Sequence, residues 1–232
     1  MEYFVYKGID SRDVVGLVVA SLPAITKAKM RSRIDTIDGR DGSTVTELGF
    51  EAYNKAVKIG LSRNYDIDNI INWLNGEGNI QFSNEPDKYY KVKVLDQIDF
   101  EKLLKFKTAT VNFYTQPFKY SVTERTKTIS TTALVNAEIR NSGNYFSKPT
   151  ITFTGTGTIN ISVNGVQACV LNLGTTSESI TLDTDKQEAY FGAELKNRKM
   201  QGQFPTFAVG KNVISWTGNL TQIEITNYSR WL

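Results

Sequence analysis

The chain has 232 residues, 40% of them hydrophobic, enough to bury a core in one large or two medium domains and to exclude disorder over most of its length. Its 27 Lys and Arg against 24 Asp and Glu leave a formal charge of +3 with no dense basic block, which argues against a dedicated duplex-DNA binder. It contains no His and one cysteine, Cys169, which removes His-based general bases and triads, the usual zinc ligand, and any internal disulfide or thiolate metal site.

The opening Met1-Glu2-Tyr3-Phe4 lacks the basic start and apolar run of a signal peptide, and no apolar run approaches the about 18 residues of a membrane span. No membrane insertion is expected, and the Asn-x-Ser/Thr matches at Asn160, Asn219 and Asn227 would matter only in a secreted chain. Tyr3 to Val19 reads as two short strands joined by the polar turn Gly8 to Asp13. The second, Val14 to Val19, is a nearly continuous apolar run of the kind buried on both faces, ended by Pro23. Between Lys29 and Asp38, Arg31 and Arg33 interleave with Ile34 and Ile37 ahead of the tight turn Gly39-Arg40-Asp41-Gly42. That pattern predicts an arm leaving the main body.

Val57, Ile59 and Leu61 alternate with Lys58, Gly60 and Ser62, a half-buried strand leading into a helix. In that helix Ile67, Ile70, Ile71 and Leu74 recur at i, i+3, i+4 and i+7 and are expected to face the core, with Asp66 as N-cap and Gly76 as a left-handed stop. Trp73 lies off this face, either covering the edge of the following hairpin or anchoring a neighbouring subunit. The period then turns to two: Ile80 and Phe82, the loop Ser83 to Asp87, then Tyr90, Val92 and Val94, a β-hairpin on which the helix docks. Ala109, Val111 and Phe113 mark another strand, ended by Pro117-Phe118. Thr123 to Ala133 has no apolar period and is read as the boundary between domains 1–125 and 126–232.

In the second half, Asn141 to Asn144 reads as a turn and Pro149 to Thr154 as a strand. Ile159 to Val163 runs into Asn164-Gly165, a strong hairpin signal. A two-residue turn there sets Val163 opposite Val166, Ile161 opposite Ala168 and Ile159 opposite Val170, with Cys169 on the other face across from Asn160. Ile180 to Leu182, Ala189 to Phe191, Val213 to Trp216 and Ile223 to Ile225 supply further short strands, the spacing of a β-sandwich or jelly roll.

No motif carries catalytic chemistry. Asp183, Asp185 and Glu194 stand at calcium-loop positions, but Glu188 occupies the place of the required glycine, so a plain turn is expected. Gly155-Thr156-Gly157 lacks the helix and lysine of a phosphate loop. Asp96, Asp99 and Glu101 read as solvated acids between strands, although glycoside hydrolysis needs only two carboxylates about 5 to 10 Å apart. Lys196, Arg198 and Lys199 read as a solvated loop that could meet phosphate or an acidic glycan. Tyr145, Phe146, Tyr190, Phe191 and Trp216 could stack on a sugar, though such aromatics in a small sandwich are more often core.

Taken in order, Tyr6-Lys7-Gly8-Ile9-Asp10-Ser11, the Gly39 to Gly42 turn, Ile70-Ile71-Asn72-Trp73-Leu74 and Phe82 to Tyr90 resemble the distal tail protein of siphophages. Val111-Asn112-Phe113 and Gln116 to Tyr120 continue the likeness. So do Asn141-Ser142-Gly143, Pro149-Thr150-Ile151, Asn164-Gly165, Phe204-Pro205 and Asn212 to Gly218, so that it spans nearly the whole chain. The resemblance implies a mainly β fold. An N-terminal β-sandwich domain with one short α-helix and a projecting arm forms a homohexameric ring, and a C-terminal galectin-like or jelly-roll β-sandwich hangs outside it. It implies a structural, non-enzymatic protein of the virion tail tip, assembled in the host cytoplasm and without cofactor or metal. Its partners would be the tail tube protein, the tail-tip hub protein and receptor-binding or baseplate proteins, with DNA passing through the lumen without specific binding. On the residues themselves, Arg31, Arg33, Gly39, Arg40, Asp41, Gly42 and Trp73 are the candidate subunit contacts. The alternative is a carbohydrate-binding module attaching to host cell-wall glycan through the C-terminal sandwich; galectin-type sugar contacts depend on a His that this chain lacks.

Overall fold

The computed structural model describes residues 2–124, 126–131 and 135–232, and the fold is mainly β. Two compact units divide it, Met1–Val122 with Leu232, and Thr123–Trp231. Arg125 and residues 132–134, part of the segment read as a boundary, lie outside the described residues.

In the first unit the strands are β1 (Phe4–Tyr6), β2 (Ile9–Asp10), β3 (Leu17–Ser21), β4 (Met30–Asp35), β5 (Thr44–Phe50), β6 (Tyr53–Leu61), β7 (Gly76–Phe82), β8 (Lys88–Val94) and β9 (Thr108–Ser121). Its helices are α1 (Ile67–Trp73) and α2 (Phe100–Phe106). The main sheet runs β2-β1-β7-β8-β9-β6-β3, and among the described residues β4 pairs only with β5. Register brings Phe4 opposite Phe82, Tyr6 opposite Ile80, Val94 opposite Phe113 and Val57 opposite Val111, so alternate residues of neighbouring strands bury one shared face.

Asp66 caps α1 by accepting the Asn69 amide, and Gly76 turns left-handed at φ 73° to start β7. The expected apolar stripe is rotated. At about 100° per residue, Ile67, Ile70, Trp73 and Leu74 share a face that the indole dominates, and Ile71, a quarter-turn round, is left 39% exposed.

Three further expectations change. Val14 to Val19 is not a doubly buried strand: Val15 is exposed, Gly16 turns at φ 80° against Asn64 and Tyr65, and β3 begins only at Leu17 as the sheet's edge. A second helix, α2, follows Asp99, whose carboxylate caps it by accepting the Lys102 amide. The acids read as lying between strands therefore include a helix cap. Pro117 does not end β9. Gln116, Pro117 and Phe118 bulge opposite the single residue Lys91, beyond the last β6 pair at Thr115, so the missing proline N–H breaks no ladder there.

In the second unit the strands are β10 (Lys127–Ser130), β11 (Asn136–Asn141), β12 (Thr150–Val163), β13 (Val166–Asn172), β14 (Glu178–Asp183), β15 (Glu188–Phe191), β16 (Glu194–Leu195), β17 (Met200–Gly202), β18 (Gly210–Thr226) and β19 (Arg230–Trp231). The segments read as separate short strands at Val213 to Trp216 and Ile223 to Ile225 belong to one strand, β18. It and β12 each serve two leaves. Thr150 to Gly155 pairs with β14 and the end of β18, whereas Asn160 to Val163 pairs with β13 and an earlier part of β18. Both strands bend where they meet at glycine. A Cβ on Gly155 would lie 2.3 Å from the Asn219 oxygen, and one on Gly218 (φ 102°) 2.4 Å from the Thr158 oxygen. Ile151, Phe153, Ile180, Ile223 and Ile225 from one leaf meet Ile139, Ile159, Ile161, Leu171 and Ile214 from the other in a single core.

The Asn164-Gly165 turn forms with both residues at positive φ (52° and 80°) and Val163 opposite Val166. A bulge between Ile161 and Ser162 then shifts the register, so Cys169, not Ala168, stands opposite Ile161. Cys169 is therefore inside the core at 1% exposed, and burial pushes its thiol up to about 12.

Candidate functional site

The feature least explained by the fold is β4–β5, a two-stranded sheet whose residues are exposed except at its ends. Ile34 pairs with Val45 on one face, 64% and 57% exposed. Arg33 pairs with Thr46 on the other, and its Nε donates to Asp35 at 2.9 Å. A bulge between Arg31 and Ser32 turns the strand, with Gly49 at φ 101° and Arg31 Nη2 donating to the Leu48 carbonyl at 3.2 Å. At the tip the Arg40 amide donates to the Ile37 carbonyl, and Gly39 and Gly42 take φ near 80° with open space around them.

The root is held firmly. Carbonyls of Pro23, Ala24 and Thr26, on the segment leading into the arm, accept from Asn84 Nδ2, Lys55 Nζ and Tyr53 Oη at 3.1, 3.1 and 3.4 Å. Lys55 is 3% exposed, with its ammonium 4.7 Å from the centre of the Tyr90 ring. Burial lowers its pKa, opposed by the nearby Glu85 carboxylate, which itself accepts from Tyr90 Oη and Lys119 Nζ. Phe50, at the end of β5, meets Phe118 of the β9 bulge edge-on at 5.6 Å. That bulge, invisible in the sequence, supplies the arm's aromatic footing.

Of the candidate contact residues, Arg31, Arg33, Gly39, Arg40, Asp41 and Gly42 all lie on this exposed arm. Trp73 does not join them. It is 6% exposed, stacks on Phe4 at 5.4 Å, and donates from Nε1 to the Tyr6 carbonyl at 3.2 Å, so its ring is inside the unit and unavailable as an outward anchor. Sequence reasoning also missed a groove of about 360 Å3 between α1 and residues 94–100, because its lining comes from two separated elements.

The clusters weighed for chemistry do other work. Asp183 accepts the amides of Asp185 and Lys186 and closes the turn after β14. Glu178 receives Lys196 and Lys199 at 2.6 and 2.5 Å and the Gly174 amide at 3.0 Å; these donors, Lys196 first, hold its carboxyl down at about 2. Trp216 is core at 6% exposed, whereas Phe146 is 39% exposed with the Arg230 guanidinium 4.5 Å from its ring centre.

No protein-family model matches the sequence, and no curated protein matches it significantly. Solved structures do. The Dit protein of phage SPP1, described as a paradigm of the hub adsorption apparatus in phages infecting Gram-positive bacteria, is 18% identical with a TM-score of 0.71, over 98% of this chain and 99% of that one. The baseplate of phage P2 in its activated conformation contains a similar chain. With Ca it is 9% identical, TM-score 0.54, over 97% of both chains; with Sr it is 9% identical, TM-score 0.55, over 98% of this chain and 97% of that one. From end to end, the chain has the fold of a phage tail hub protein.

Proposed function

We propose that this chain is a structural, non-catalytic subunit of a phage tail tip, a distal tail protein that assembles into a homohexameric ring. The ring joins the tail tube to the tail-tip hub, leaves a lumen for DNA, and offers docking sites to baseplate or receptor-binding proteins. It belongs to the virion and assembles in the host cytoplasm. The observation that carries this reading is the full-length likeness in fold to the SPP1 hub protein, and the free arm agrees with it. A lone two-stranded hairpin is marginal in water, so an arm with both faces in solvent gains most from a neighbour. A ring needs such a heterologous contact, one patch meeting a different patch and closing after a fixed rotation. Light scattering and negative-stain microscopy of the purified protein test the reading: sixfold rings are expected, and a strict monomer at high concentration overturns it. Arg40→Glu should leave the chain folded and weaken assembly.

A second reading, glycan binding by the second unit, is favoured by one observation. An uncharged groove of about 350 Å3 is lined by Phe146, Phe204, Gln167 and Gln203, rings and amides of the kind that meet sugars. Wild-type binding to cell-wall glycan that Phe146→Ala abolishes would support it; no binding would remove it.

A further inference from the structure

We propose that the groove of the second unit takes an uncharged pyranose glycan and rejects anionic ones, an inference that rests on the glycan reading and narrows it. The polar groups that shape this groove are distinct from those it presents to a ligand. Its frame is fully satisfied. Asn212, wholly buried, accepts from the Ala208 amide and from Asn164 Nδ2, both at 2.9 Å, and donates to the Ala208 and Gly210 carbonyls at 2.8 and 3.1 Å. The Asn164 carboxamide oxygen in turn accepts the Val213 amide at 2.9 Å. The Gln203 amide donates to the Ala168 carbonyl at 2.8 Å, and the Thr184 hydroxyl to the Pro205 carbonyl at 2.9 Å. Asn164, Ala168, Pro205 and Ala208 all line the groove, so its walls are held before a ligand arrives, which lowers the ordering cost of binding.

The other polar side chains of the lining are left over by the fold. Gln167, Gln203 and Thr206 are exposed, and among the described residues their side chains hydrogen-bond to nothing. Each carboxamide offers an acceptor and two donors, and the hydroxyl adds one of each kind, a set that suits sugar hydroxyls, which give and accept at once. Apolar surface stands beside them: Phe146 and Val166 are exposed, and Phe204 is half-buried. A pyranose carries that same pairing, hydroxyls round its edge and C–H groups on its faces. Charge then decides the class. No charged side chain is among the lining residues, so a carboxylate or phosphate entering the groove would lose hydration without meeting a cation. Arg230 stacks its guanidinium on the Phe146 ring, but it is buried, donates from Nε to the Phe146 carbonyl at 2.6 Å, and is not part of the lining.

The test is isothermal titration of the full-length protein with chitohexaose and cellohexaose, both neutral, and with hexagalacturonic acid, an anionic sugar of the same length. At least one neutral probe should bind, and the acid at least about tenfold more weakly. Gln167→Ala and Gln203→Ala should each weaken the neutral sugar about tenfold, the scale of one lost hydrogen bond. Neither should move the second unit's urea transition, because both side chains are in solvent. Equal or tighter binding of the acid overturns the neutral class and leaves glycan binding standing. Glutamine variants that bind like the parent overturn the groove as the seat. Capture by cell-wall glycan that depends on Phe146, with neither neutral probe bound, overturns this inference alone. Binding to no wall glycan and to no probe removes the glycan reading with it.

Discussion

The β4–β5 arm and the β12–β13 hairpin are both closed by glycine-bearing turns and interrupted by one bulge, yet one stands as a two-stranded sheet and the other lies within a larger one, and they differ in where their side chains end. In β12–β13 the register places Ile161 opposite Cys169 and Ile159 opposite Leu171, all buried in a core shared with the other leaf. In β4–β5 the equivalent apolar pair, Ile34 and Val45, faces solvent with nothing packed on it. The local geometry is nearly the same; the free energy is not. Burial of one face fixes register and stabilises the first hairpin within its own chain, while the second leaves both faces in solvent. On the ring reading proposed above, a neighbouring copy would cover that apolar face.

The comparison breaks most sharply under a buried charge. Ile161→Asp in the sandwich, or Ile70→Asp in the first unit, sets an unpaired carboxylate at a fully buried position and should cost more than about 4 kcal/mol, enough to abolish that unit's denaturant transition. Ile34→Asp on the arm should leave both transitions in place and remove only ring mass. A well-folded Ile70→Asp protein would show that the faces of α1 are reversed.

Next in size is Cys169→Ser, which buries a hydroxyl among Ile161, Leu171 and their neighbours and should cost about 1 to 3 kcal/mol in urea titration. The native thiol should resist an aromatic disulfide reagent until the unit unfolds, because it is both buried and held protonated. Cys169 also marks where sequence stops being legible. Features set by a few adjacent residues could be read directly: the Asp66 cap, the Asn164-Gly165 turn, the alternation of Val57, Ile59 and Leu61, and the arm with its two-glycine tip. Features set by partners distant in sequence could not. The bulge that turns Cys169 inward depends on how β13 meets β12, and the one that admits Pro117 on how β8 meets β9. The rotation of α1 that exposes Ile71 depends on the indole of Trp73 winning the place beside Phe4. Of the candidate site, the arginines on the arm could be read; its aromatic footing at Phe118 and the groove beside α1 could not.

A smaller effect follows from Glu178, where three donors converge on one carboxylate at the rim of the sandwich. Its folded pKa, about 2, lies below its ordinary value of 4.5, so its contribution is complete above that ordinary value and fades as pH falls toward about 2. Solvent screening near the surface holds the effect to about 1 kcal/mol. Glu178→Gln should flatten the acid limb of the second unit's stability curve by that amount, and an unchanged limb would show that the lysines contribute nothing net.

The smallest expected effect is also the most discriminating. Ile34→Ser removes an aliphatic side chain from a residue that is 64% exposed and opposite an equally exposed Val45. If the arm acts only within its own chain, little apolar area is buried there to lose, and the monomer's stability should move by less than about 0.5 kcal/mol. The same change in the assembled state should cost more, because the side chain is then out of water, at roughly 25 cal/mol per Å2 of apolar surface. Two numbers from one variant therefore decide the matter: the urea midpoint of the dilute monomer, expected unchanged, and the concentration at which rings appear, expected to rise about tenfold. Equal losses in both would mean that Ile34 packs within the monomer after all. No loss in either would mean that the arm's apolar face meets nothing. Only the split between them assigns the arm to the neighbour, and Val45→Ser, on the partner strand of the same face, should repeat it.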